Sequence, residues 1–464
     1  MKLLSGRTIA AGLRWTAILL ALLLTLLLAL MLYLRETDYL RGLIVRGLSE
    51  QAGRPVRVEG VVDLQLLPIP SVQLNQIHVP ADAGFGGDLL AVERLRVGLE
   101  PWPWLRQRKL RLRDFEIDGA RLMLQRNAQG VGNWQVLMQR LLQPKPGPSL
   151  FQSLDTLRLR HGRLSWQDQN RRQLLLTDLG GQMDNIQRQQ AFPLHLGGRW
   201  QFGEQAGRLD FATRIQPGPA SWLAGLADSG LDLTLAAKKP VMLQLRAPVL
   251  SRQGANGQHW QARGLTARLH VQGRQLAGKS DLVLQTSPLS LALNALQVDA
   301  GEGARASGWV RYQGADASLR GEVQMPPFDL RRLAGAWGFP LPSTRDPQVY
   351  AQAALRLAFT QTNDDWLLRV ADGRLDQSSF SGWLRLHAAP FQAQFFAQMD
   401  HLSLDRYLPA GSGKASTTTA ANAAPLPDWP VSGELRLARF ESGKLSGRNL
   451  LLELGMNGEG WHVR

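Results

Sequence analysis

The chain has 464 residues, no cysteine and a formal net charge of +15. The missing cysteine excludes disulfides, zinc–thiolate sites and thiol nucleophiles. The charge invites a nucleic-acid reading, yet no long basic block occurs, and the arginines alternate with apolar residues as on the wet side of a sheet, so no nucleic-acid partner is expected.

Trp15 to Leu34 is an apolar run of 20 residues without a charge. At ~1.5 Å per residue it matches the ~30 Å hydrocarbon core of a bilayer. Lys2, Arg7 and Arg14 precede the run, and Arg35-Glu36-Thr37-Asp38 follows it. Residues 1–14 are therefore expected to be a cytoplasmic tail, 15–34 a transmembrane helix, and the remainder exported. A cleaved signal peptide would have a shorter core of about 7–15 residues and a small-x-small exit, whereas this run leaves through Tyr33-Leu34-Arg35.

A short amphipathic helix is expected over 35–55, where Tyr39, Leu40, Leu43, Ile44 and Leu48 recur at helical spacing before Gly53-Arg54-Pro55. From Val56 the period becomes two. Val62, Leu64 and Leu66 form one alternating set, Leu95, Val97 and Leu99 a second, and Leu110 and Leu112 a third. The same rhythm returns in Leu157-Arg158-Leu159-Arg160, in Leu231 to Leu235 and in Leu282 to Gln285. Each strand thus carries one apolar and one polar face, as in antiparallel sheets. Asp118-Gly119, His161-Gly162, Asp372-Gly373 and Ser442-Gly443 read as turns between strands. Gly162-Arg-Leu, Gly373-Arg-Leu and Gly443-Lys-Leu, with Gly119-Ala-Arg-Leu as a variant, form a loose repeat of strand starts.

Two stretches interrupt the pattern. Pro326 to Pro347 predicts a short helix over Asp329–Trp337 and a proline-held loop. Residues 409–430 are a Gly/Ser/Thr/Ala/Pro tract that reads as a flexible linker, followed by a β segment over 431–464.

Chemistry-bearing motifs are scarce. The Gly84 to Gly87 and Gly301 to Gly303 clusters do not join a strand to a helix as a phosphate loop requires. The eight histidines are scattered, without the His-Glu-x-x-His spacing of a metal site. No Gly-x-Ser-x-Gly elbow supplies a hydrolase nucleophile. The chain is read as a non-enzyme without a cofactor.

Several segments carry a more specific likeness. Gly53 to Pro68 (GRPVRVEGVVDLQLLP), Phe85, Leu89 to Glu93, Leu99 to Pro101, Phe115 to Leu122 and Gly130-Val-Gly-Asn-Trp134 occur in an order that resembles the N-terminal region of the AsmA family of Gram-negative envelope proteins. Pro327-Phe-Asp-Leu, Phe339-Pro-Leu-Pro342 and Leu402 to Pro409 (LSLDRYLP) resemble its central region. The resemblance implies an inner-membrane anchor and a periplasmic body over 56–408. It further implies a mainly β fold of the bridge-like lipid-transfer type: an elongated, curved antiparallel sheet, or β-groove, with a few short helices. Members of that family run on into further strands past the equivalent of residue 464, so the chain is expected to be truncated, a fragment or a short variant. The implied role is outer-membrane biogenesis, with phospholipid acyl chains conducted between inner and outer membrane and with outer-membrane assembly components as partners. Val62, Leu64, Leu66, Leu95, Val97, Leu99, Leu110 and Leu112 are the expected lining of the lipid path. The competing expectation is a periplasmic scaffold whose apolar face is closed core, acting on outer-membrane protein insertion or lipopolysaccharide. The two differ in whether that face is sealed or open.

Overall fold

The computed structural model describes residues 25, 42, 45–46, 49, 54–65, 70–82, 84–100, 111–127, 131–135, 137, 153–167, 173–187, 190–218, 221–237, 240–253, 258–286, 288–339, 341–389, 391–408, 430–457 and 460–463. The fold is mainly β, with 24 strands among these residues. Two compact units divide at residues 224 and 225.

The first unit contains β1 (Arg57–Val58), β2 (Val62–Gln65), β3 (Ser71–Pro80), β4 (Asp88–Glu100), β5 (Arg111–Asp118), β6 (Arg121–Gln125), β7 (Ser153–Gln167), β8 (Gln173–Gln187), β9 (Phe192–Phe202) and β10 (Gln205–Gly218). β1 and β2 both pair with β3, and β5 and β6 both pair with β4 and β7, so each couple is one interrupted strand. The ladder then runs β7–β8–β9–β10.

The division falls within β11 (Ser221–Leu235), most of which belongs to the second unit, followed by β12 (Val241–Gln253), β13 (His259–Val271), β14 (Arg274–Thr286), β15 (Leu289–Asp299), β16 (Arg305–Gln313) and β17 (Ser318–Phe328). Helix α1 (Leu330–Trp337) follows, then β18 (Ala353–Thr362), β19 (Asp365–Leu375), β20 (Ser378–Ala388), β21 (Phe391–Ser403), the single-turn α2 (Leu404–Tyr407), β22 (Val431–Ser442), β23 (Leu445–Asn457) and β24 (Gly460–Val463). Consecutive strands pair from β11 to β24.

α1 starts where the sequence predicts. The Asp329 side chain accepts from the Arg332 amide at 2.9 Å, and Gly338, at φ 70°, ends the helix in the left-handed region.

The antiparallel expectation holds except at two places, where β5 and β6 lie parallel to β7, and β21 parallel to β22. A parallel pair needs a long crossover. The second parallel pair follows the tract expected as a linker, and β22, β23 and β24 join the ladder of the second unit directly. Residues 409–429 themselves lie outside the described residues, as do Leu66 and Leu110.

Three of the four expected turns are not turns. His161 and Asp372 lie inside β7 and β19, and Gly119 sits in the break between the collinear β5 and β6. At His161 and Asp372 the interruption is a β-bulge, an extra residue that shifts the alternation by one, whereas the register runs across Gly119 without a shift. Leu157 and Leu159 precede the bulge in β7, Leu164 and Trp166 follow it, and all four keep to one face through their partners Met183, Gly181, Leu176 and Leu174. The Gly-basic-Leu step is therefore a bulge exit at Gly162 and Gly373. Only Gly443 opens a true hairpin strand.

Among the described residues no helix is long and apolar enough to cross a membrane. Of the expected span, only Thr25 is described. In the expected amphipathic helix, Gly42, Val45, Arg46 and Ser49 are helical.

Candidate functional site: one apolar sheet face

Because side chains alternate along each strand, register decides whether apolar positions collect on one face. In the first unit they do. Val62, Leu74, Leu95, Ile117, Leu159, Gly181, Leu196 and Phe211 are successive cross-strand partners. The neighbouring row on the same face is Leu64, Val72, Val97, Phe115, Leu157, Met183, Leu194 and Thr213. A third row runs Leu99, Leu112, Leu154 and Ile186. Six of the eight residues singled out from the sequence thus fall in three rows of one face. Between these rows lies the polar series Asp63, Gln73, Arg96, Glu116, Arg158, Gln182 and His195, which ends on β10 at Ala212.

The second unit repeats the arrangement over more strands. One row passes through Leu226, Leu250, Ala262, Leu282, Leu293, Val310, Gly321, Phe359, Leu368, Leu384, Phe395, Gly433 and Leu454 without a polar residue. A row on the opposite face reads Gly230, Arg246, Thr266, Lys279, Gln297, Ser307, Gln324, Arg356 and Asp372. No second layer of described residues seals the apolar row: its members are half-buried apart from Ala262 and Gly321. Polar-face neighbours such as Arg305, Ser307 and Arg311 are exposed.

Glycines on this face pair with phenylalanines. A Cβ at Gly321 would lie 2.5 Å from the Phe359 ring, one at Gly373 2.5 Å from Phe380, and one at Gly433 2.5 Å from Phe395. Each ring lies across the bare backbone of its partner and covers it, the rescue of a strand glycine by an aromatic neighbour. The sequence carries no local sign of these pairs, because the partners lie 7 to 38 residues apart and meet only through register.

In the first unit one part of the apolar face is closed. Val56, Val58, Leu74, Ile77, Val79, Val92 and Leu95 form a buried cluster on β1, β3 and β4, with Val45 of the helical segment packed against it. Val62, Val72, Val97, Phe115 and Ile117 pack around its margin. Leu95 is thus core, and Val97 lies at the border of that core.

The polar face carries ion pairs, Arg246 with Asp232 at 2.7 Å and Arg356 with Glu322 at 2.6 Å, and a hydrogen bond between His161 and Asp118 at 2.8 Å. The His161 hydrogen bond, helped by Arg94 and Arg160, keeps the Asp118 carboxyl below the usual range against a smaller effect of burial. Among the described residues no group of three or more His, Asp or Glu side chains is placed to hold a metal ion.

The segments that carry the likeness to a known family turn out to be joints. Arg406 donates to Asp346 at 2.8 Å, and the Tyr407 hydroxyl donates to Asp376 at 2.8 Å. The Asp405 carboxylate accepts from the Gly443 amide, which ties α2 to the β22–β23 hairpin. No curated protein and no solved structure matches the chain. The AsmA family model matches residues 10–425. With nine-tenths of its length under that match, the chain belongs to the AsmA family.

Proposed function

We propose that this protein is an outer-membrane biogenesis factor that binds phospholipid acyl chains on its apolar sheet face and conducts them between inner and outer membrane. The observation that carries the reading is the row from Leu226 to Leu454, apolar across 13 strands and half-buried except at Ala262 and Gly321. An acyl chain laid along such a face gains about 0.8 kcal/mol per buried CH₂, so neither a catalytic residue nor a cofactor is needed to hold it. Membership of the AsmA family supports an envelope setting. In this reading residues 15–34 anchor the chain in the inner membrane, residues 1–14 are cytoplasmic and the sheet is periplasmic.

The buried cluster around Leu95 favours a second reading, a periplasmic scaffold with a closed core that acts on outer-membrane assembly without carrying lipid. The test is photo-crosslinking in the living envelope from positions 293 and 368, followed by mass spectrometry of the adducts. Phospholipid adducts are expected. Folded protein that yields only protein adducts would favour the scaffold.

A further inference from the structure

The apolar face changes character along the first unit. On β3 and β4, Leu74 is 3% exposed and Leu95 8%, both inside the buried cluster. Two strands further on in the same row, Leu159 is half-buried, as are Leu196 and Phe211 after it. Two devices close the first part. Val45, from the helical segment, packs on the cluster, and the Ser49 hydroxyl accepts from the Val56 amide at 2.9 Å, which pins that segment to the start of β1. Arg54 then ties the chain to the end of β3 and to the segment after β6 through Pro80, Asp82 and Asn133.

We infer that β1 to β4, with the helical segment over them, form a plug that closes the lipid path at its N-terminal end, and that acyl chains enter sideways, over the face of β7 to β9. The inference rests on the conduit reading and adds the point of entry. An acyl chain has no open apolar surface to occupy at Leu74 or Leu95, because protein side chains already fill it. On β7 and β9 the first two rows present half-buried leucines, Leu157, Leu159, Leu194 and Leu196. The segment that seals the face also follows directly on the expected membrane span, so in this reading the closed end is the end nearest the anchoring membrane. Lipid exchanging between that membrane and the open face must therefore pass around the plug and not through it.

The test places a photo-reactive amino acid singly at positions 95, 159 and 196 of the full chain, expressed in the intact envelope, with adducts identified by mass spectrometry. Lipid adducts are expected at 159 and 196, with signal at 95 lost to the level of unirradiated controls. Should the position-95 variant fail to accumulate, position 72 takes its place, being half-buried at the cluster margin and already packed by protein. A lipid adduct at 95 or 72 matching that at 159 would overturn the plug and leave the conduit intact. Absence of lipid at every position, with protein levels unchanged, would overturn the conduit and the plug together.

Discussion

Arg54 donates through Nη2 to the backbone carbonyl of Asn133, 3.2 Å away and 79 residues further along the chain. The same guanidinium reaches the Asp82 carboxylate at 2.6 Å and the Pro80 carbonyl at 3.3 Å. Asn133 is buried in turn: its Nδ2 donates to the Met123 carbonyl at 2.9 Å, and its Oδ1 accepts from the Gln125 amide at 3.0 Å. Two stretches that carry the family likeness, Gly53-Arg-Pro and Gly130 to Trp134, are therefore the two halves of one clamp.

Arg54→Ala is expected to destabilise the first unit by about 2–4 kcal/mol, because it strands buried acceptors and leaves Asp82 without its cation. Arg54→Lys should recover little, since one ammonium cannot span three acceptors that a planar fork reaches together. Urea denaturation of the detergent-solubilised chain measures both. Equal stability of the lysine variant and wild type would show that charge alone matters.

Leu95→Asp and Leu368→Asp should behave differently although both sit on the apolar face. Leu95 lies in the closed cluster, where an unpaired carboxylate costs several kcal/mol and leads to loss of the protein. Leu368 is half-buried, and water can reach a charge placed there. Its variant should accumulate and fold while losing bound lipid and weakening the outer-membrane barrier. Immunoblot levels, lipid content and detergent sensitivity separate the cases. A folded, lipid-loaded Leu368→Asp protein would count against the apolar row as the lipid path.

The rows and the clamp differ in how far the sequence foretold them. Val62, Leu64, Leu95 and Val97 could be assigned to one face because period-two alternation is a local signal. The bulges were present in the same letters, as a parity switch between Leu159 and Leu164, but a glycine after His161 also fits a turn, and only the pairing to β8 decides. The Arg54–Asn133 contact, the Gly–Phe pairs and the parallel β21–β22 pair are non-local. They depend on register or on a crossover, which no window of residues encodes.

Gly321→Ala tests the Gly–Phe arrangement. The new methyl would sit 2.5 Å from the Phe359 ring and 2.7 Å from the Trp309 carbonyl oxygen, so ring and backbone must both give way. A loss of about 1–3 kcal/mol is expected, as for overpacking in a core. Pairing the change with Phe359→Leu should relieve part of the clash, which a double-mutant cycle would report as coupling.

Asp365 and His387 face each other at the end of the β19–β20 pair, with Nδ1 and Oδ1 2.8 Å apart. That hydrogen bond, with the carboxylate charge behind it, raises the His387 pKa against a smaller opposing effect of burial. A raised folded value means the pair stabilises the hairpin fully below the unfolded pKa of about 6.5, and the contribution fades as pH climbs through the folded value. NMR titration of His387 should give a midpoint above that of a free histidine, and Asp365→Asn should lower it. An unchanged midpoint in the variant would remove the pair from the account.

The crossover from β21 to β22 can be tested by length. The two strands run parallel from the Ala393–Val431 pair to the Ser403–Glu441 pair, so the chain leaving Ser403 must return the length of the strand to reach Val431. Ten residues of strand at ~3.3 Å each make that distance about 33 Å, which about ten extended residues can span. The tract between α2 and β22 is longer than this, so deleting residues 412–419 should leave β22 paired with β21 and the protein at normal levels. Deleting 410–428 leaves too little chain for the return. It should free β22 and β23 from the ladder, seen as new protease cleavage after Ser403 and a shortened resistant core. If the longer deletion is as resistant as wild type, the parallel pairing is wrong.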